Sequence, residues 1–183
     1  MEAIKKRMFQ AGFRAAKQAQ RKLAKMNTEK SSQARRDEIV EQAKADVERL
    51  KENNIRLRTF NISLEVNRKD RSVEAIAKRP KSNRAFYGIA KAAPDDCFNV
   101  HIGKAIAIRR ALGLAVPDEY LNDPQPTEVR VGDVVEFQSV YKAAERALVV
   151  SDDESTGEGK IALGSAYADI AKIIDDSREE VGE

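Results

Sequence analysis

The spacing of apolar residues changes near residue 59, and this change constrains the fold more than any other feature of the chain. Before it, apolar residues recur every three or four positions, within residues 4–26 and again within residues 40–57. This period is typical of one face of a helix. After it, apolar and polar residues alternate at 62–66 and 73–77, as in half-buried strands. The chain is therefore predicted to begin with helices and to continue as an α+β fold.

The first part, residues 1–58, is predicted to form a helical hairpin or coiled-coil arm. Cap- and turn-forming residues at 27–32 separate its two helices. In the second helix the apolar spacing alternates between three and four, which is typical of a coiled-coil seam. The seam positions are Val40, Ala43, Val47, Leu50, Asn54 and Leu57. Because isolated helices of this length are marginal, we expect a homo-oligomer through residues 36–58.

The start of this arm is strongly basic, with 11 basic and 2 acidic residues between Met1 and Arg36. Three roles are open for these cations. They contact phosphates, they form the solvated face of a helix that packs or oligomerises, or they lie on a membrane surface. The membrane role has little support because the apolar face of this helix is mostly alanine.

The central part, residues 59–115, is predicted to be a β-hairpin, a third strand and a helix. A turn at 67–70 joins the first two strands, and the basic loop at 79–84 precedes a strand at 85–90. Asp96 or Asn99 can cap the helix that follows, and Gly113 can end it. Phe98, Ile102 and Ile106 recur at helical spacing, so we expect them to face the sheet.

The last part, residues 127–176, is predicted to be a small β-rich module after a linker at 116–127 that contains three prolines. Residues 129–137 alternate around a Gly-Asp pair and predict a strand, a tight turn and a second strand. Further apolar strands are predicted at 147–150 and 161–163. A short closing helix is predicted within 168–177.

Charge is distributed unevenly among these parts. Lys and Arg outnumber Asp and Glu by 16 to 8 in residues 1–58 and by 11 to 5 in residues 59–115, a sum of +14. In residues 116–183 the counts are 6 and 17, a balance of −11. Either the basic parts meet an anionic partner, or the two halves neutralise each other within the fold or across an oligomer.

No motif of a known reaction occurs in the sequence, and we expect a protein that is not an enzyme and needs no cofactor. Gly103-Lys104 lacks the spacing of a phosphate-binding loop. Asp95, Asp96, Cys97 and His101 match no standard zinc spacing, so no metal site is predicted. Cys97 and His101 are a conceivable nucleophile and base, but a small buried cysteine beside a helix cap is the simpler interpretation.

Localisation is predicted from what the sequence lacks. No apolar run approaches the ~20 residues of a membrane span, and the N-terminus has no signal-peptide pattern. The single cysteine, Cys97, cannot form an internal disulfide. These features predict a cytoplasmic protein without a membrane partner.

Residues 88–114 carry a resemblance to a known group of proteins. The strand residues Gly-Ile-Ala-Lys at 88–91, the Pro-Asp-Asp-x-Phe-Asn turn at 94–99 and the Gly-containing helix that follows resemble a module of small bacteriophage and prophage proteins. Some proteins with a similar stretch are anti-defence proteins, including Thoeris anti-defence sponges that sequester a cyclic nucleotide signal. The resemblance implies a phage-type binding protein that acts in the host cytoplasm. The Val-Gly-Asp-Val-Val run at 131–135 resembles SH3-like small barrels, which bind peptides or nucleic acid.

These observations predict a non-enzymatic binding protein for counter-defence or host takeover, whose ligand is a nucleotide signal or a nucleic acid. Arginine and lysine would meet the phosphates, and an aromatic ring would offer a stacking face. The candidate ligand-binding residues are Arg79, Lys81, Arg84, Phe86, Lys104, Arg109 and Arg110. The alternative is an inhibitor or assembly factor that binds a host protein, such as a defence protein, through the coiled-coil arm and the acidic module.

Overall fold

The computed structural model describes residues 32–82, 84–137, 145–168 and 171–178 of the 183-residue chain. These residues form a mixed α+β structure with four helices and two sheets. The first described helix, α1, covers residues 32–57. The helix predicted within residues 4–26 lies outside the described residues. Within the described part, no helix is both long and apolar enough to cross a membrane.

The first sheet is antiparallel, with the order β1-β2-β3. Its strands are β1 (Asn61–Asn67), β2 (Ser72–Lys78) and β3 (Ala85–Lys91). The alternating pattern predicted β1 and β2; the turn between them and β3 were also predicted from the sequence, and the structure confirms all of these elements. On β2, Val73, Ala75 and Ala77 are buried, whereas the side chains between them face the other side of the sheet. The sheet therefore has one covered face and one open face.

Helix α2 (Val100–Ala111) covers that apolar face. Asn99 is its N-cap and accepts hydrogen bonds from the backbone N–H groups of His101 and Ile102. The helix lies unusually close to the sheet at two glycines. A Cβ on Gly103 would lie 2.8 Å from Val73 Cγ2, and a Cβ on Gly88 would lie 2.1 Å from the Ala107 carbonyl oxygen. Phe98 is 3% exposed and completes this core, as its helical spacing predicted.

Helix α1 packs into the same core. Its buried residues, Ile39, Ala43, Val47 and Leu50, belong to one hydrophobic cluster with residues of the first sheet and α2. Ala43, Val47 and Leu50 are positions of the predicted coiled-coil seam, so the structure assigns these three to the chain's own core rather than to a partner helix. Only the end of the stripe stays outside, where Leu57 is 63% exposed. The oligomer expected through residues 36–58 stays a prediction.

The second sheet has the order β6-β5-β4-β7, with a parallel β5–β6 pair among antiparallel neighbours. Its strands are β4 (Val134–Phe137), β5 (Glu145–Val150), β6 (Lys160–Ala162) and β7 (Lys172–Asp175). Two short helices accompany them, α3 (Asp118–Leu121) and α4 (Leu163–Ala168). The architecture of an SH3-like barrel stays a prediction.

Three local predictions for this part were wrong. Residues 129–131 form no strand, because the chain turns there through Gly132, whose φ is 91°. The predicted linker contains α3, whose Tyr120 is buried. The predicted closing helix is instead β7, because Ile173 and its neighbours pair with β4.

The end of β7 joins the second sheet to α2. The Phe98 N–H donates to the Ile174 carbonyl at 2.9 Å, and the Asp176 N–H donates back to the Phe98 carbonyl at 3.1 Å. The Ser177 hydroxyl accepts from the Val100 N–H at 2.8 Å, so the tail also satisfies the first turn of α2. The N-terminus of α2 is thus occupied by the chain itself.

Candidate anion-binding site

A cluster of cations and two phenylalanine rings lies at the end of the first sheet where β2 turns into β3. It combines the segment after α1 with the β2–β3 loop. We call it the basic–aromatic cluster, and its members are Arg58, Phe60, Lys78, Arg79, Lys81, Arg84 and Phe86. Four of the predicted site residues, Arg79, Lys81, Arg84 and Phe86, belong to it.

The two rings form the centre of the cluster. Phe60 and Phe86 are in edge-to-face contact, with ring centroids 5.7 Å apart and an interplanar angle of 89°. The Arg79 guanidinium lies 5.7 Å from the Phe60 centroid and 5.9 Å from the Phe86 centroid. Both distances are within the range of cation–π attraction. Arg79 is therefore held over the rings while its N–H groups stay available to an anion.

Backbone hydrogen bonds fix the loop that carries the other cations. The Arg79 N–H donates to the Arg84 carbonyl at 3.2 Å, which closes the loop, and the Ser82 N–H donates to the Arg79 carbonyl at 3.3 Å. The Ser82 hydroxyl accepts from the Arg84 N–H at 3.1 Å. Pro80 restricts the backbone further. Lys81 and Arg84 thus lie on a loop whose two ends are joined by backbone hydrogen bonds, and both residues are exposed.

The charge of the cluster is not compensated locally. Residues 58–61 and 78–87 contain five basic residues and no acidic one. Among the described residues, none of these five cations forms an ion pair, whereas most other described arginines do. Residues 58–60 and 79–82 line an open groove of about 540 Å³ within the cluster. Such a groove is suited to an anionic ligand.

Arg109, another predicted site residue, is committed to internal partners. Its Nε donates to Asp46 Oδ2 at 2.6 Å, and its Nη1 donates to the Ala115 carbonyl at 2.8 Å. Burial would raise the pKa of Asp46, but hydrogen bonds from Arg109 and Arg49 outweigh it, so this pKa lies below its usual range. Arg109 thus holds α1 against α2.

Arg110 and Lys104 also lie apart from the basic–aromatic cluster. The Arg110 guanidinium donates to the Ile89 carbonyl on β3, the last strand in the order of the first sheet. Lys104 lies on the α1 side of α2, in a groove that it shares with Lys44, Lys51 and His101. The described contacts therefore do not bring Lys104, Arg109 and Arg110 together with the four candidate ligand-binding residues of the basic–aromatic cluster.

Sequence reasoning missed three members of the cluster, Arg58, Phe60 and Lys78, and the main buried ion-pair network. Arg58 and Phe60 lie next to the β2–β3 loop only because the β1–β2 hairpin brings the end of β2 back to the end of α1. Phe60 nevertheless continues the alternating pattern of Ile62 and Leu64, and that signal could have placed its ring on the covered face.

The buried network surrounds Arg36, which is fully buried. Its Nε donates to Asp176 Oδ2 at 2.6 Å, it also pairs with Asp123, and Asn99 donates to Asp176 Oδ1 at 2.9 Å. Burial would raise the pKa of Asp176, but the hydrogen bond from Arg36 outweighs it and lowers this pKa. Arg68 pairs with Asp175 at 2.6 Å. Part of the opposite charge of the two halves is therefore neutralised within the fold.

Cys97 and His101, which were considered for catalysis or metal binding, contact the chain's own core and backbone. Cys97 is buried, and burial raises the pKa of its thiol well above the usual range. His101 Nε2 lies 3.2 Å from the Ser177 carbonyl oxygen. Over the part of the chain that the structure describes, no three His, Cys, Asp or Glu residues are grouped to hold a metal ion.

Comparisons with known proteins add no assignment. No family model matches the chain, and neither a curated protein nor a solved structure shows significant similarity to it.

Proposed function

We propose that this protein is a non-enzymatic binding protein whose ligand carries phosphate groups, and that the basic–aromatic cluster is its binding site. The observation that supports the proposal best is Arg79 held over two phenylalanine rings, next to four further cations that lack a carboxylate partner among the described residues. Uncompensated cations on a fixed loop attract phosphate, and exposed rings attract bases.

The proposal covers both ligand classes expected from the sequence, a nucleotide signal and a nucleic acid. Phe86 is 41% exposed, so its ring retains a free surface that a base can contact. Lys81 and Arg84 would then meet the flanking phosphates. A role in counter-defence or host takeover rests on the resemblance of residues 88–114 to phage proteins and is part of the proposal on that ground alone.

Binding of fluorescently labelled oligonucleotides and nucleotides, followed by anisotropy, tests the proposal. The variant Arg79→Ala/Lys81→Ala/Arg84→Ala should lose most of the affinity of the parent at low salt. A matched control is Lys44→Ala/Arg146→Ala/Lys160→Ala, which removes three exposed cations that each have a carboxylate partner. This control has the same net charge as the first variant.

The two variants separate a specific site from general charge attraction. If the control variant retains the parent affinity and the cluster variant does not, the cluster is the site. If both lose affinity equally, or if the parent binds none of these ligands, the proposal is wrong. A host protein as ligand, bound through the acidic module, would then be the better explanation.

A further inference from the structure

The open face of the first sheet, on the side opposite α2, adjoins the basic–aromatic cluster. Alternation along the strands places Ile76, Lys78, Tyr87 and Ile89 on this face. No described element covers it, and Tyr87 and Ile89 are 62% and 54% exposed. Tyr87 follows Phe86 directly, so the two rings project to opposite faces of β3. A ligand bound at the cluster can therefore continue around the edge of the sheet onto Tyr87.

The surroundings of Tyr87 are those of a stacking platform. Ile76 lies directly opposite it on β2, and Lys78 is its diagonal neighbour, within reach of a phosphate that flanks a stacked base. Base–aromatic stacking tolerates any sequence because every base has a π-face. A base can use this platform only when it is unpaired, since in a duplex its faces are covered by neighbouring base pairs.

Two carboxylates limit how far a nucleic acid can extend across this face. Glu65 on β1 and Glu74 on β2 are direct cross-strand partners. Like charges placed opposite each other repel, and together they would repel a phosphate backbone. They lie four residues along β2 from Lys78, which corresponds to about 13 Å. At ~3.4 Å per nucleotide, the stretch before them accommodates at most about four nucleotides.

We propose that the ligand is single-stranded nucleic acid with a footprint of a few nucleotides. Its phosphates lie on the basic–aromatic cluster, one base stacks on Tyr87, and the Glu65–Glu74 pair ends the path. This inference rests on the proposed function and names the ligand class of the same site. A duplex binds less well, because its bases cannot reach the Tyr87 ring.

Anisotropy titrations with the full chain test this inference. The probes are single strands of about two to twelve nucleotides and a blunt duplex of the longest sequence. Affinity for single strands should rise with length until the cluster and the stretch before Glu65 and Glu74 are occupied, and should then level off within the range of these probes. Tyr87→Ala should weaken single-strand binding about 5- to 100-fold. Tyr87→Phe, which keeps the ring, should bind like the parent, and Glu65→Gln/Glu74→Gln should lengthen the footprint.

The possible results distinguish failure of this inference from failure of the proposed function. If the duplex binds as tightly as the single strand and Tyr87→Ala has no effect, the single-strand inference is wrong. The proposed function survives that result if binding still depends on Arg79, Lys81 and Arg84. If Tyr87→Ala changes the sedimentation of the protein rather than its binding, the open face is an interface between copies and the inference is also wrong. Absence of binding to every probe overturns both.

Discussion

Arg109 was predicted from the sequence to bind the ligand, but its contacts in the structure indicate a structural role. In the structure its guanidinium lies 2.6 Å from Asp46, and the two side chains are 17% and 6% exposed. A hydrogen bond to a charged group contributes about 1.5–3 kcal/mol. After Arg109→Ala, Arg49 would still contact the Asp46 carboxylate. The cost therefore falls below the ~3–5 kcal/mol of breaking a fully buried ion pair.

We expect Arg109→Ala to lower the free energy of unfolding by about 2 kcal/mol. For a chain of this size that loss corresponds to a Tm decrease of roughly 4–8 °C. The measurement is urea unfolding followed by far-ultraviolet circular dichroism. A double-mutant cycle with Asp46→Ala should give a coupling energy of about 1–3 kcal/mol. Arg49→Ala is the matched control, because Arg49 contacts the same carboxylate but is 60% exposed, and it should cost at most about 1 kcal/mol.

The pH dependence of this effect has a definite sign. The pKa of Asp46 is lowered in the folded protein. Its contribution to stability is therefore present above the unfolded value of ~3.9 and is lost as pH falls through the folded value. The difference between the parent and Arg109→Ala should shrink over that acidic range. If Arg109→Ala instead leaves stability unchanged and abolishes oligonucleotide binding, our assignment is refuted and Arg109 belongs to the ligand site.

Two further substitutions test the packing of α2 and of the buried ion-pair network. Gly88→Ala should destabilise the protein by about 1–3 kcal/mol in urea unfolding, because its Cβ would meet backbone atoms of α2 at 2.1 and 2.4 Å. Gly157→Ala is the control, because a Cβ at this position would have no atom within 4 Å. Equal losses of stability in the two variants would contradict the close packing at Gly88. Arg36→Met should cost about 3–5 kcal/mol by the same measurement, because it leaves Asp176 and Asp123 without their cation. An unfolding free energy equal to that of the parent would contradict the role of Arg36 in this network.

The local pattern of residues was sufficient to predict the central part of the fold. The period-two runs and the turn at 67–70 predicted β1 and β2, and Asn99 and Gly113 marked the two ends of α2. These signals depend on neighbours within a few residues, so a single sequence contains them. The same holds for the basic loop at 79–84, whose composition and proline identified three of the seven residues of the candidate site.

What the sequence could not predict depends on distant partners. Residues 172–175 are too few to show a helical or a strand period, and β7 forms because β4 offers it an edge. Arg36 resembles the other cations of the basic arm, yet it is buried beside a carboxylate 140 residues away in the chain. The apolar stripe of α1 was correctly identified as one face of a helix. Its partner, the chain's own core, could not be distinguished from a second copy.

The salt dependence of single-strand binding tests the central claim most directly. Each phosphate neutralised by the basic–aromatic cluster contributes about −0.7 to the slope of log K against log salt concentration. Arg79, Lys81 and Arg84 together would contribute about −2 to the slope of the parent. Arg79→Ala/Lys81→Ala/Arg84→Ala should lose this contribution, whereas the control Lys44→Ala/Arg146→Ala/Lys160→Ala should keep the parent slope. Parallel lines for the parent and the cluster variant would contradict the account, because the phosphates would then be bound elsewhere.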